Sequence, residues 1–87
     1  MISLKDACEK VLAIHPKEYI NCVNKYEKAY QFVLFDKEYE GIHGCPLIIN
    51  TPGIIIESGE LIDDACCMDD IFEGPYKQYD RSDLEKL

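Results

Sequence analysis

A histidine and a thiol flanking one glycine, His43-Gly44-Cys45, are the residues of this chain best suited by type to chemistry. Imidazole and thiolate can share a metal ion, or act as base and nucleophile. The rest of the sequence argues against both uses. Zinc sites draw on paired clusters such as Cys-x-x-Cys with a second pair, whereas Cys8, Cys22, Cys66 and Cys67 stand far from Cys45 in the chain. A cysteine nucleophile needs a histidine oriented by an acid, and the other histidine, His15, precedes the helix-ending Pro16. The trio is therefore expected to be a loop histidine followed by a buried strand cysteine, with a small thiol- or metal-dependent enzyme on His43 and Cys45 as the alternative. No cofactor and no metal are expected.

Paired carboxylates at Asp63-Asp64 and Asp69-Asp70 are of the kind that bind magnesium or calcium, or move protons. Neither pair lies in an Asp-x-Asp-x-Asp-Gly loop, and adjacent residues on a helix point apart. They read as a solvated helix face or as a docking surface for a basic partner. The chain has six tyrosines and no tryptophan. Tyrosine offers rigid area with a polar tip, which favours interfaces. Tyr19 and Tyr30 are assigned to the sheet or core. Tyr76 and Tyr79, beside the acidic run, join Asp63, Asp64, Asp69, Asp70 and Glu73 as the expected partner-binding set. Glycine-rich phosphate loops and the Gly-x-Ser-x-Gly elbow are missing from the sequence, so phosphate-cradling and serine-hydrolase chemistry have no starting point.

Charge narrows the partners. The 87 residues carry a net charge of −8, which opposes direct binding to nucleic acid or to anionic lipid. The excess is local: residues 57–87 hold ten acids against Lys77, Arg81 and Lys86, while residues 1–56 are nearly balanced. No apolar run approaches the roughly 18 residues of a membrane span. The opening Met1-Ile2-Ser3-Leu4-Lys5-Asp6 lacks the pattern of a secretory signal, and five cysteines at irregular spacing do not make a disulfide framework. A cytoplasmic protein with reduced thiols is expected.

These residues must be held by a small fold. Leu4, Ala7, Cys8, Val11 and Leu12 form one apolar stripe at helical spacing, with Ser3 as N-cap and Pro16 as the stop, predicting a helix over 4–14. Residues 18–24 and 29–35 suit strands. In the second, Tyr30, Phe32 and Leu34 share one face and Ala29, Gln31, Val33 and Phe35 the other, so it is expected to be central. Residues 36–44 read as a loop. The apolar runs 45–50 and 54–57 flank Asn50-Thr51-Pro52-Gly53, which predicts a hairpin with glycine at positive φ. Leu61, Ala65, Met68 and Phe72 predict a second amphipathic helix, acidic and ending at Gly74-Pro75; Asp69, Asp70 and Glu73 in its last turns oppose the macrodipole, so a shorter or broken helix, or one beginning nearer Met68, is the alternative. Residues 76–87 are expected to form a docked turn, a frayed short helix or a loosely ordered tail. The expected fold is a single α+β domain over 1–87: an N-terminal helix, an antiparallel sheet of three to four strands, and a C-terminal acidic helix, with the helices on one face.

The middle of the chain, Ala29-Tyr30-Gln31-Phe32-Val33-Leu34-Phe35-Asp36-Lys37-Glu38-Tyr39, followed by Gly44-Cys45-Pro46-Leu47-Ile48-Ile49-Asn50 and Pro52-Gly53-Ile54, resembles the small YrhB-like toxin-immunity domains. The opening Leu4-Lys5-Asp6-Ala7 and the close Met68-Asp69-Asp70-Ile71-Phe72 also resemble small uncharacterised proteins of phages and mobile elements of Gram-positive bacteria. Both resemblances imply a helix, sheet, helix plan and action by binding another protein, and neither supplies a functional residue. The expected function is a non-enzymatic inhibitor or immunity factor that occupies a basic surface of a target protein. One version is an inhibitor of a nucleic-acid-binding defence enzyme. A homodimeric accessory domain is the further alternative.

Overall fold

The computed structural model of this chain describes residues 1–40, 46–62 and 70–87. Helix α1, Leu4–Ile14, starts where the Ser3 hydroxyl oxygen accepts from the Asp6 N–H at 3.2 Å and ends at His15, whose N–H donates to the Val11 carbonyl at 2.9 Å. Pro16 follows and cannot continue the turn. The helix buries Ala7, Cys8 and Val11, but Leu12, expected in the same stripe, is 39% exposed.

Strands β1, Glu18–Lys25, and β2, Ala29–Glu40, form an antiparallel hairpin turning at Glu27-Lys28, closed by the Tyr26 N–H on the Ala29 carbonyl at 2.8 Å. The register shifts between Ile20 and Cys22, so Asn21 is an extra residue, a β-bulge. That one residue puts both Ile20, opposite Leu34, and Val23, opposite Phe32, on the buried face, although their spacing in a regular strand would set them on opposite sides. In β2 the alternation holds as expected: Tyr30, Phe32 and Leu34 are buried and Gln31, Val33 and Phe35 are half-buried. The strand is central, and it runs on to Glu40 through part of the segment expected to be a loop.

Asn50-Thr51-Pro52-Gly53 is not a hairpin turn. Strands β3, Pro46–Asn50, and β4, Gly53–Ile55, both pair with β2, with Asn50 opposite Leu34 and Gly53 opposite Gln31. They are one line of chain running in one direction along β2. The Phe32 N–H donates to the Pro52 carbonyl at 2.8 Å, and proline has no N–H to return the bond, which interrupts the ladder without reversing the chain. Nor is Gly53 at positive φ. Among the described glycines that backbone belongs to Gly59 (74°) and Gly74 (89°). Gly53 is glycine because Phe72 lies on it: a Cβ there would meet the Phe72 ring at 2.5 Å.

The reversal comes six residues later. Gly59, at positive φ, donates to the Ile55 carbonyl at 2.7 Å, and the Ile55 N–H donates to the Glu60 carbonyl at 2.9 Å, which turns β4 into β5, Leu61–Ile62. The Lys10 ammonium donates to the Gly59 carbonyl and ties α1 to this turn. The helix expected from residue 61 is thus replaced at its start by strand, because Leu61 and Ile62 pair with Ile54 and Gly53. Its end, Asp70–Phe72, is a single 3-10 turn, and residues 63–69 lie outside the described residues. The tail continues as β6, Lys77–Tyr79, which pairs with the outer edge of β1, and helix α2, Arg81–Leu84.

Among the described residues the sheet therefore has six strands rather than three or four, in the order β5-β4-β2-β1-β6 with β3 also on β2. With its N-terminal helix and short C-terminal helix the fold is α+β. The core lies between α1 and one face of the sheet, and Phe32, Leu34, Ile54, Val11 and Val23 are fully buried there. No described helix is long and apolar enough to cross a membrane.

If Phe72 dictates the glycine, Gly53→Ala should cost about 1–3 kcal/mol in urea unfolding, the usual scale of overpacking. In a Phe72→Ala background the same substitution should cost well under half as much. Equal costs in the two backgrounds would show that the ring is not the obstacle.

Candidate functional site

On the face of the sheet opposite α1, three aromatic side chains from distant parts of the chain form a ledge. Tyr26, at the β1–β2 tip, meets Phe72 edge-on at 5.8 Å between ring centroids and lies tilted against Tyr76 at 5.1 Å. Phe72 closes the inner end by covering Gly53. Tyr76 is the outer end and is 56% exposed. The geometry follows from the chain: the 3-10 turn carries Phe72 over the strand, and Gly74, at φ 89°, bends the backbone so that Tyr76 returns onto Tyr26. Edge-on and tilted packing suits aromatic quadrupoles and fixes the rings.

The expected partner-binding residues divide around this ledge. Tyr76 belongs to it, Glu73 is exposed two residues before Pro75, and Asp70 opens the 3-10 turn. Asp63, Asp64 and Asp69 lie outside the described residues, as do His43 and Cys45. Tyr79 is elsewhere. It stands opposite Val23 and packs partly against the core, with the Lys77 ammonium 5.0 Å above its ring, so it holds β6 to the sheet. Sequence reasoning missed Tyr26 and Phe72, and spacing carried no signal for them, since the ledge is assembled across the sheet.

Two carboxylates of the acidic third have a structural task. Asp80 caps α2: its Oδ1 accepts from the Ser82 hydroxyl at 2.7 Å and from the Asp83 N–H at 3.0 Å, and the Asp83 carboxylate accepts from the Asp80 N–H at 3.2 Å. The Ser82 hydroxyl and then the Asp83 N–H hold the Asp80 carboxyl below its usual range. Whatever stability this adds is present above the ordinary carboxylate range and is lost as the pH falls through the lowered value.

The described groups able to do chemistry are dispersed. His15 Nδ1 lies 3.5 Å from Glu18 Oε1 where α1 gives way to β1, and both side chains are mostly buried. Cys8 is on the buried side of α1, and burial, followed by the charge of Glu9, pushes its thiol up to about 11. Cys22 is half-buried on the other face, where its sulfur accepts from the Gln78 amide at 3.6 Å. Both thiols are free, and among the described residues no three His, Cys, Asp or Glu side chains converge on a point that could hold a metal ion. No family model, curated protein or solved structure matches this chain.

Alkylation at pH 8, followed peptide by peptide by mass spectrometry, should modify Cys22 at least about tenfold faster than Cys8 in the folded protein. Comparable rates would contradict the burial of Cys8. The raised thiol also fixes a sign: the contribution of Cys8 to stability is full below about 9 and declines as the pH climbs to about 11, because the unfolded chain ionises first.

Proposed function

We propose that this protein is a non-enzymatic binding module, an inhibitor or immunity factor working in the cytoplasm, that sets its acidic C-terminal third against a basic surface of a target protein. The observation that carries this reading is the aromatic ledge: Tyr76, 56% exposed, is braced by Tyr26 and sits in the acidic run that includes Asp69, Asp70 and Glu73. A braced tyrosine loses little freedom on binding, and rigid aromatic residues ringed by charge are the usual anchors of protein interfaces. The carboxylates serve a different step. A field of this sign speeds encounter with a cationic surface and repels nucleic acid and anionic lipid. On a target that binds nucleic acid, the carboxylates stand where phosphates would.

Two variants test the two parts. Asp63→Asn, Asp64→Asn, Asp69→Asn and Asp70→Asn together remove the charge, and Tyr76→Ala removes the anchor. Against a partner captured from cells that carry the gene, the first should slow association and flatten its dependence on salt. The second should speed dissociation and cost about 2 kcal/mol or more of affinity. A partner that binds both variants as well as it binds the unaltered chain would overturn the reading.

A further inference from the structure

We propose that a groove between α1, β1 and α2, remote from the aromatic ledge, binds an aliphatic carboxylate of medium chain length. The groove has a volume of about 310 Å³, at the small end of the range of small-molecule sites, roughly 300–1,000 Å³. Its walls are aliphatic: Leu12 from α1, Ile20 from β1 and Leu84 from α2, with the Cys8 side chain among them. Leu12 is the residue whose exposure broke the expected stripe, and it stays apolar while facing this space.

The cations at the groove decide the chemistry of the ligand's other end. Arg81 is the one arginine of the sequence, and its guanidinium lies over the Tyr19 ring at 5.0 Å. Among the described residues no carboxylate pairs with that guanidinium, and a free guanidinium can take a planar carboxylate through two parallel hydrogen bonds. Lys37 adds a second cation, steadied by donation to the Pro16 carbonyl at 3.3 Å. Two carboxylates also border the groove. Glu18 faces His15 through its Oε1 and its Oε2 is buried without a hydrogen-bond partner, and Glu85 is exposed. The two cations and two carboxylates of the lining balance in number, but neither Arg81 nor Lys37 has a carboxylate partner among the described residues, and an apolar chain ending in one anionic head complements the aliphatic walls and those cations.

Octanoate, 1-octanol and octylammonium, titrated separately and followed by the methyl resonances of Leu12, Ile20 and Leu84, test the proposal on the intact chain. Octanoate should shift those methyls saturably in the millimolar range, and the two other probes should bind about tenfold more weakly, the worth of one charge-assisted contact. Arg81→Gln should bring octanoate down to the level of octanol, while Arg81→Lys keeps part of the difference. The ratio of octanoate to octanol is the readout, so a variant that only loosened α2 would weaken both probes and leave the ratio unchanged, which would count against a carboxylate contact at Arg81. Equal binding of all three probes, or octanoate shifts away from these methyls, would overturn the proposal.

Discussion

The row Tyr30, Phe32 and Leu34 along β2, pressed under Ala7, Cys8 and Val11 of α1, is the contact on which the rest of this molecule depends. Burying each large side chain contributes roughly 1.5–3 kcal/mol, and the row is continuous. Ile2, ahead of α1, and Leu84 of α2 pack against the same cluster. Every other strand is fastened to β2 directly or through one neighbour: β1, β3 and β4 pair with it, β5 hangs on β4, and β6 hangs on β1. The N-terminal helix is fixed at a second point where Lys10 reaches the Gly59 carbonyl, which couples the β4–β5 turn to the same core.

What the chain builds around that row has one recurrent device, a backbone position chosen for what passes over it or is denied to it. Pro52 occupies a ladder position, and its missing N–H breaks the bonding while the chain runs straight on. Gly53 beside it leaves room for Phe72, and Phe72 in turn supports Tyr26 and, through it, Tyr76. The most exposed aromatic of the ledge is thus positioned by the least bulky residue of a strand. The groove at Arg81 is set differently, by α2 folding back beside β1 under its Asp80–Asp83 cap.

How much of this was legible in the sequence follows from the range of the forces involved. The helix over 4–14 was, because Ser3, the apolar stripe and Pro16 are all local signals. The central position of β2 was too, since apolar residues on both faces report burial directly. Proline followed by glycine misled, because the same pair that makes a tight turn also serves a broken strand under an aromatic ring, and only the ring's location separates the two. The periodicity of residues 61–72 misled at its start for a similar reason: Leu61 and Ile62 are claimed by a hairpin that begins at Gly59. At the candidate site, Tyr76 could be singled out from composition and neighbourhood, whereas Tyr26 and Phe72 enter only once the sheet brings them together, and Tyr79 is drawn inward by its register opposite Val23.

The bulge at Asn21 separates two kinds of constraint that are easily confused. Its side chain is half-exposed and is not part of the buried core, so by chemistry the position tolerates many residue types. Its presence is another matter. Without it the parity of β1 changes, and either Ile20 or Val23 must face away from α1. The position is fixed by count and free in identity: it can vary by substitution for as long as the strand keeps its length.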